Sequence, residues 1–175
     1  MTWKFLAGLL AILALIVGAA LAPLDTGVTR IVTSIDIQRP PDVVFDYVTT
    51  PSHWPQWHPS SIAVSGATDH PLAVGEQVQE EFVVAGRRGR VTWQVAQREP
   101  AQRWRIDGLI DGHLAGSVTY TLTAQGDGSH FVREFSYPSR NLFFAIVNWL
   151  TLRERIEAES AQALARLKLE LESAH

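Results

Sequence analysis

Three observations on the 175-residue sequence predict an α+β fold: a long antiparallel sheet of about seven strands and one closing C-terminal helix, with one apolar helix in front. From Val28 to Tyr137, short runs of alternating apolar and polar residues are separated by glycine, proline and aspartate turns, the pattern of strands with one dry and one wet face. From Asn141 to Ser173 there is neither proline nor glycine, and apolar residues recur at helical steps. Phe5 to Ala22 carries no charge.

The apolar stretch, FLAGLLAILALIVGAALA, rises about 27 Å as a helix, close to the roughly 30 Å of a bilayer core. Residues 1–24 therefore read as a transmembrane anchor crossing through residues 5–22. The competing reading is a signal peptide with Lys4 as a thin n-region and Ala20-Leu21-Ala22 as its cleavage site, which Pro23 disfavours. Lys4 lies before the segment, and Arg30 and Arg39 follow it. This weak bias predicts a single-pass membrane protein whose domain, residues 28–175, lies on the extracytoplasmic side.

After the linker 23–27, Thr29, Ile31, Thr33, Ile35 and Ile37 alternate as the inward face of a first strand. Pro40-Pro41-Asp42 opens a helix: proline needs no N–H in the first turn, and Asp42 suits the positive end of the helix dipole. Val44, Tyr47 and Val48 share one face, and Thr50-Pro51 ends the helix. The loop His53-Trp54-Pro55-Gln56-Trp57-His58-Pro59 holds two tryptophans that are costly to expose. Strands are expected over 62–67, 76–85, 90–98, 103–109, 114–124 and 130–137. The turns between them include Gly86-Arg87-Arg88-Gly89, Asp111-Gly112 and Gly126-Asp127-Gly128. In the C-terminal helix, Trp149, Leu152, Ile156, Ala163, Leu167 and Leu171 step along one face.

Composition narrows the function classes. Hydrophobic residues at 46% suffice for a core, and a net charge of −3 argues against a nucleic-acid partner. With no cysteine there is no disulfide scaffold, thiolate metal site or cysteine nucleophile. His53, His58, His70, His113 and His130 have no metal-ligand spacing, so neither metal nor other cofactor is expected. No Gly-x-Ser-x-Gly elbow and no glycine-rich phosphate loop is present. Arg87, Arg88 and Arg90 crowd one hairpin, either a solvated tip or a contact for anionic head groups.

Strand, short helix pair, six antiparallel strands and long amphipathic helix is also the order of a known fold. Residues 28–172 resemble the START-like superfamily, also called SRPBCC, and within it the polyketide cyclase/dehydrase and lipid-transport branch. The likeness rests on Ile35 and Ile37, Pro41-Asp42-Val43-Val44-Phe45, and Trp54-Pro55-Gln56-Trp57-His58-Pro59. The resemblance implies a helix-grip domain with an apolar cavity between sheet and helix. Its members bind lipids, sterols, polyketides or other hydrophobic molecules, and some are enzymes. A membrane segment ahead of the domain is not part of the usual pattern.

The cavity so implied would be lined by Phe82, Trp93, Trp104, Tyr120, Phe135 and Tyr137 from the strands. Trp54 and Trp57 would stand near the mouth, and Phe144 and Trp149 would come from the helix, with Phe143 beside them. Glu80 and Arg133 interrupt inward apolar faces, either as a polar handle for a ligand's hydroxyl or carboxylate or, one residue out of register, in water. The leading expectation is a membrane-tethered binding domain for a hydrophobic small molecule or lipid. The alternatives are a cyclase/aromatase-type enzyme using Glu80, Arg133 or Tyr137 to handle protons, and a protein-interaction module.

Overall fold

The structure, a computed structural model, describes residues 2–84 and 86–173, with all side chains except those of Thr2 and Lys4. The side chain of Lys4, read as a signal-peptide n-region, lies outside what is described, as do Ala85, read as a strand end, and Ala174-His175, the domain's tail.

Helix α1 (Thr2–Leu21) precedes the domain. Strand β1 (Val28–Ile37) is followed by α2 (Pro41–Thr49), a 3-10 turn (Pro51–His53) and α3 (Trp54–Trp57). Six strands then run in succession: β2 (Ser61–Gly66), β3 (Gln77–Val84), β4 (Arg87–Glu99), β5 (Arg103–Ile110), β6 (His113–Gln125) and β7 (Gly128–Pro138). The chain closes with α4 (Leu142–Val147), a π turn (Asn148–Leu152) and α5 (Arg153–Ser173).

All seven strands form one antiparallel sheet in the order β1-β7-β6-β5-β4-β3-β2. Consecutive strands are neighbours because their connections are short; the exception is β1, which pairs with β7 and carries the α2–α3 excursion to the far edge. The β5–β6 hairpin turns on Asp111 (φ 51) and Gly112 (φ 76), the left-handed pair a two-residue turn requires. The β3–β4 turn is tighter than its sequence suggests: Arg87, Arg88 and Gly89 already belong to β4, leaving Gly86 (φ 79) at the bend.

One sheet face packs on α5, whose Ala163, Leu164, Leu167 and Leu171 are buried against Ile106, Val118 and Tyr120. Val44, Phe45 and Val48 of α2 join that core, as does Trp54, whose indole N–H donates to the Val48 carbonyl at 3.0 Å.

The expected single C-terminal helix is instead α4, a π turn and α5. Asn141 caps α4, its side chain accepting from the Phe144 N–H at 2.7 Å. The π turn accommodates one more residue per turn than an α-helix, so positions ahead of it are rotated by about 100° relative to α5.

Among the described residues no helix is both long and apolar enough to cross a membrane. The run with described side chains is Phe5–Leu21, about 25 Å long. Its large apolar side chains, from Phe5 to Leu21, are all exposed.

Candidate ligand cavity

The two halves of the sandwich between sheet and helix are filled differently. Towards the ends of β1 and β6 it is solid: Trp104 stacks on Tyr120 (centroids 5.4 Å apart), and Trp54, Trp57 and Phe131 close round them. Burial pushes the Tyr120 hydroxyl up to about 12, so it stays a neutral phenol. Towards the starts of β1 and β6 the inward positions of β5 and β6 are small. Gly108 and Gly116 pair directly across the strands, and Ala115 adjoins them. The Trp93 ring lies over Gly108 and the Phe135 ring over Gly116; a Cβ at Gly108 would come within 2.6 Å of Trp93 Cζ3. Rings laid flat on bare backbone leave room above them, and a cavity of about 310 Å³ results. It is at the small end of the roughly 300–1,000 Å³ typical of small-molecule sites.

The lining is mainly apolar, from Phe82, Val84, Val91, Ile110, Val118 and their neighbours on the sheet and Phe144, Leu152 and Ile156 on the helical side. Polar groups gather on one wall: Arg133 on β7, His58 and Ser60 after α3, and Glu159 and Ser160 on α5. Arg133 is 6% exposed. Its Nη1 donates to Ser160 Oγ at 2.9 Å, its guanidinium lies 5.6 Å from the Phe135 ring centre, and its Nε has no hydrogen-bond partner. The Ser60 N–H donates to His58 Nδ1 at 3.3 Å, which assigns the proton to Nε2, a buried atom that also lacks a partner. Burial, and secondly the Arg133 charge, hold His58 well below the ordinary histidine range, so the imidazole is neutral. Ser60 Oγ donates to Glu159 Oε2 at 2.8 Å. Arg133 Nε and His58 Nε2 are thus two buried N–H donors, on residues of this wall, without acceptors.

Of the residues selected from sequence, Phe82, Trp93, Arg133, Phe135, Tyr137 and Phe144 line the cavity. Trp54, Trp57, Trp104 and Tyr120 do not; they belong to the solid half, because alternation identifies the inward face but not the position along it. Glu80 points inward, as its alternation implies, but stands behind the wall: its Oε2 accepts the Trp93 indole N–H at 2.6 Å, and burial raises its carboxyl above the usual range. Trp149 is 80% exposed and Phe143 faces solvent too, since the π turn rotates both away from the line of Leu152 and Ile156. Asn148 is buried instead, accepting from Tyr137 Oη at 2.6 Å and donating to Thr29 Oγ1 at 2.8 Å. His58, Ser60, Glu159 and Ser160 carry no sequence signal of their own. The glycines did offer one: Gly108 and Gly116, inside strands without a turn to explain them, mark where something approaches the backbone closely. Among the described residues no cluster of three or more histidines and carboxylates could hold a metal.

Residues 28–172 match the family described as polyketide cyclase / dehydrase and lipid transport. The chain belongs to this family. No curated protein matches it in sequence. Solved structures share the fold of this polyketide cyclase/dehydrase-family domain at low identity. Protein MLL2253 from Mesorhizobium loti is 20% identical, with a TM-score of 0.62 over 84% of this chain and 99% of its own. The Aha1 dimer from Colwellia psychrerythraea is 17% identical, with a TM-score of 0.59 over 82% and 96%. DynU16, a protein in the dynemicin biosynthetic locus, is 19% identical, with a TM-score of 0.58 over 82% of this chain and 47% of DynU16.

Proposed function

We propose that the domain binds a hydrophobic small molecule or lipid with an oxygen-bearing end, held near a membrane by α1. The observation that carries this reading is the lone polar wall in an otherwise apolar cavity. Two buried N–H groups, on Arg133 and His58, lack acceptors there, and leaving such donors unmet costs about 1–3 kcal/mol each. A carboxylate, ester or ketone oxygen reaching this wall, with a small shift of the two side chains, would supply an acceptor. The tether is supported by the apolar side chains of α1, exposed along its length, which water solvates poorly. It would make the protein single-pass, with the domain on the extracytoplasmic side.

Native mass spectrometry of the full chain released from detergent, followed by organic extraction, tests this. A stoichiometric adduct carrying an acceptor oxygen is expected. A clean apo mass after exposure to a mixed lipid extract refutes it.

An enzyme reading draws on the family description and on DynU16's place in a biosynthetic locus. The extracted adduct separates the two: an enzyme would release the molecule changed after incubation, whereas a carrier returns it intact.

A further inference from the structure

We propose that α4 and the π turn form a lip that lies in the interfacial zone of a lipid bilayer, so that the cavity opens onto the membrane and not onto water. The proposal deepens the tethered-binder reading and takes from it only that a bilayer is near.

The cavity lies towards one end of the sheet. The start of β1, the end of β7 and the β5–β6 turn lie there, because Val28 pairs with Pro138 and Ser117 with Ser136. The β3–β4 turn, with Arg87 at its tip, is at the same end. Ile110 on the hairpin and Phe144 and Leu152 on the lip all line the cavity.

The outer surface of that lip is apolar. Leu142, Phe143, Ile146, Trp149 and Leu150 are 46% to 80% exposed, whereas most exposed apolar residues elsewhere on the domain stand singly. No charge occurs from Asn141 to Leu152, and Arg140 and Arg153 bracket the stretch. An uncharged segment with outward Trp, Phe and Leu, flanked by arginines, has the composition of a helix lying at the membrane interface.

The occupant follows from where α1 leaves. Its linker is bonded to the segment just before the lip: the Leu24 N–H donates to the Arg140 carbonyl at 2.9 Å and the Thr26 N–H to that of Ser139 at 3.0 Å. In return, the Ser139 N–H donates to the Gly27 carbonyl at 2.9 Å. Helix α1 also packs on α4. A bilayer that solvates the exposed side chains of α1 therefore meets the exposed face of α4 as a continuation of the same surface.

The chain has no cysteine, so single cysteines carrying nitroxide labels can be placed without background. The full chain is reconstituted into vesicles of phosphatidylcholine and phosphatidylglycerol, labelled in turn at Leu13, Phe143, Leu150 and Val74. Val74 is exposed just ahead of β3, at the opposite end of the sheet. At Phe143 and Leu150, collisions with oxygen should rise and collisions with a soluble nickel chelate fall relative to Val74. Membrane values at Leu13 with aqueous values at Phe143 and Leu150 overturn the lip and leave the tether standing. Membrane values at Phe143 and Leu150 with an aqueous Leu13 support the lip and refute the tether. Labels at Phe143 and Leu150 shielded from both reagents overturn the lip in favour of a second copy covering that face.

Discussion

Replacing Gly108 by alanine should collapse the floor of the cavity. The new methyl would lie 2.6 Å from Trp93 Cζ3 and 3.0 Å from two further ring atoms. Carbon atoms rest at about 3.5–4.0 Å, so the indole must retreat by about 1 Å. Overpacking of this kind costs about 1–3 kcal/mol. The ring cannot retreat without straining its 2.6 Å hydrogen bond to Glu80, and leaving that buried pair unmet costs about 1–3 kcal/mol. A loss of about 2–6 kcal/mol follows if both costs are felt, or a melting temperature lower by roughly 4–24 °C at about 2–4 °C per kcal/mol. Urea denaturation gives the energy, and near-ultraviolet circular dichroism reports the indole environment. A Gly108→Ala protein within about 0.5 kcal/mol of the parent, with an unchanged indole signal, would show that Trp93 is not seated on Gly108, and the account of how the cavity arises would fall.

Three further outcomes are expected. Arg133→Met should reduce ligand uptake in native mass spectrometry while leaving unfolding free energy within about 1 kcal/mol, because relief from burying a cation offsets the lost Ser160 bond; undiminished loading would remove Arg133 from the handle. His58 is depressed in the fold, so below the ordinary value near 6.5 the unfolded chain binds the extra proton and stability falls with falling pH, by up to about 1.4 kcal/mol per unit; urea midpoints should lose that part of their slope in His58→Gln, and an unaltered slope would deny His58 its buried, neutral state. Tyr137→Phe strips Asn148 Oδ1 of its donor and should speed amide exchange across 142–152 at a global cost of about 1–3 kcal/mol; exchange unchanged in that segment would mean that the bond does not hold the lip down.

What the sequence disclosed and withheld follows from the range of each signal. Alternation is a local property with a period of two, so Val78, Val91, Val95, Ile106 and Val118 could be placed inward from their own neighbours, and they are buried. The same signal put Arg133 inward against its chemistry, correctly, and did not show that its partner would be Ser160, 27 residues away. Nor could it say which aromatics stand over empty space: Trp93 and Trp104 have the same local pattern, but only Trp93 faces a glycine across the ladder. The helical periodicity of residues 141–173 assumed one phase throughout. Leu152, Ile156 and Leu167 obey it, and Trp149 does not, because one wide turn intervenes. His58, at the end of a tryptophan loop, becomes a wall residue only through a long-range return of the chain that no local period encodes.

The π turn also bears on how such a lid can change. Its two faces, one carrying Asn148 towards Tyr137 and the other carrying Trp149 outward, are set by a phase offset of a single residue. Point substitutions alter what each face carries but not which way it looks. Loss of one codon within 150–152 would turn the wide turn into regular α-helix and leave Trp149 facing outward, because six α-helical steps to Ile156 cover the same rotation as the present seven with the π turn among them. Chain length at this turn can therefore vary by one residue among relatives while the inward and outward faces of the lid stay as they are.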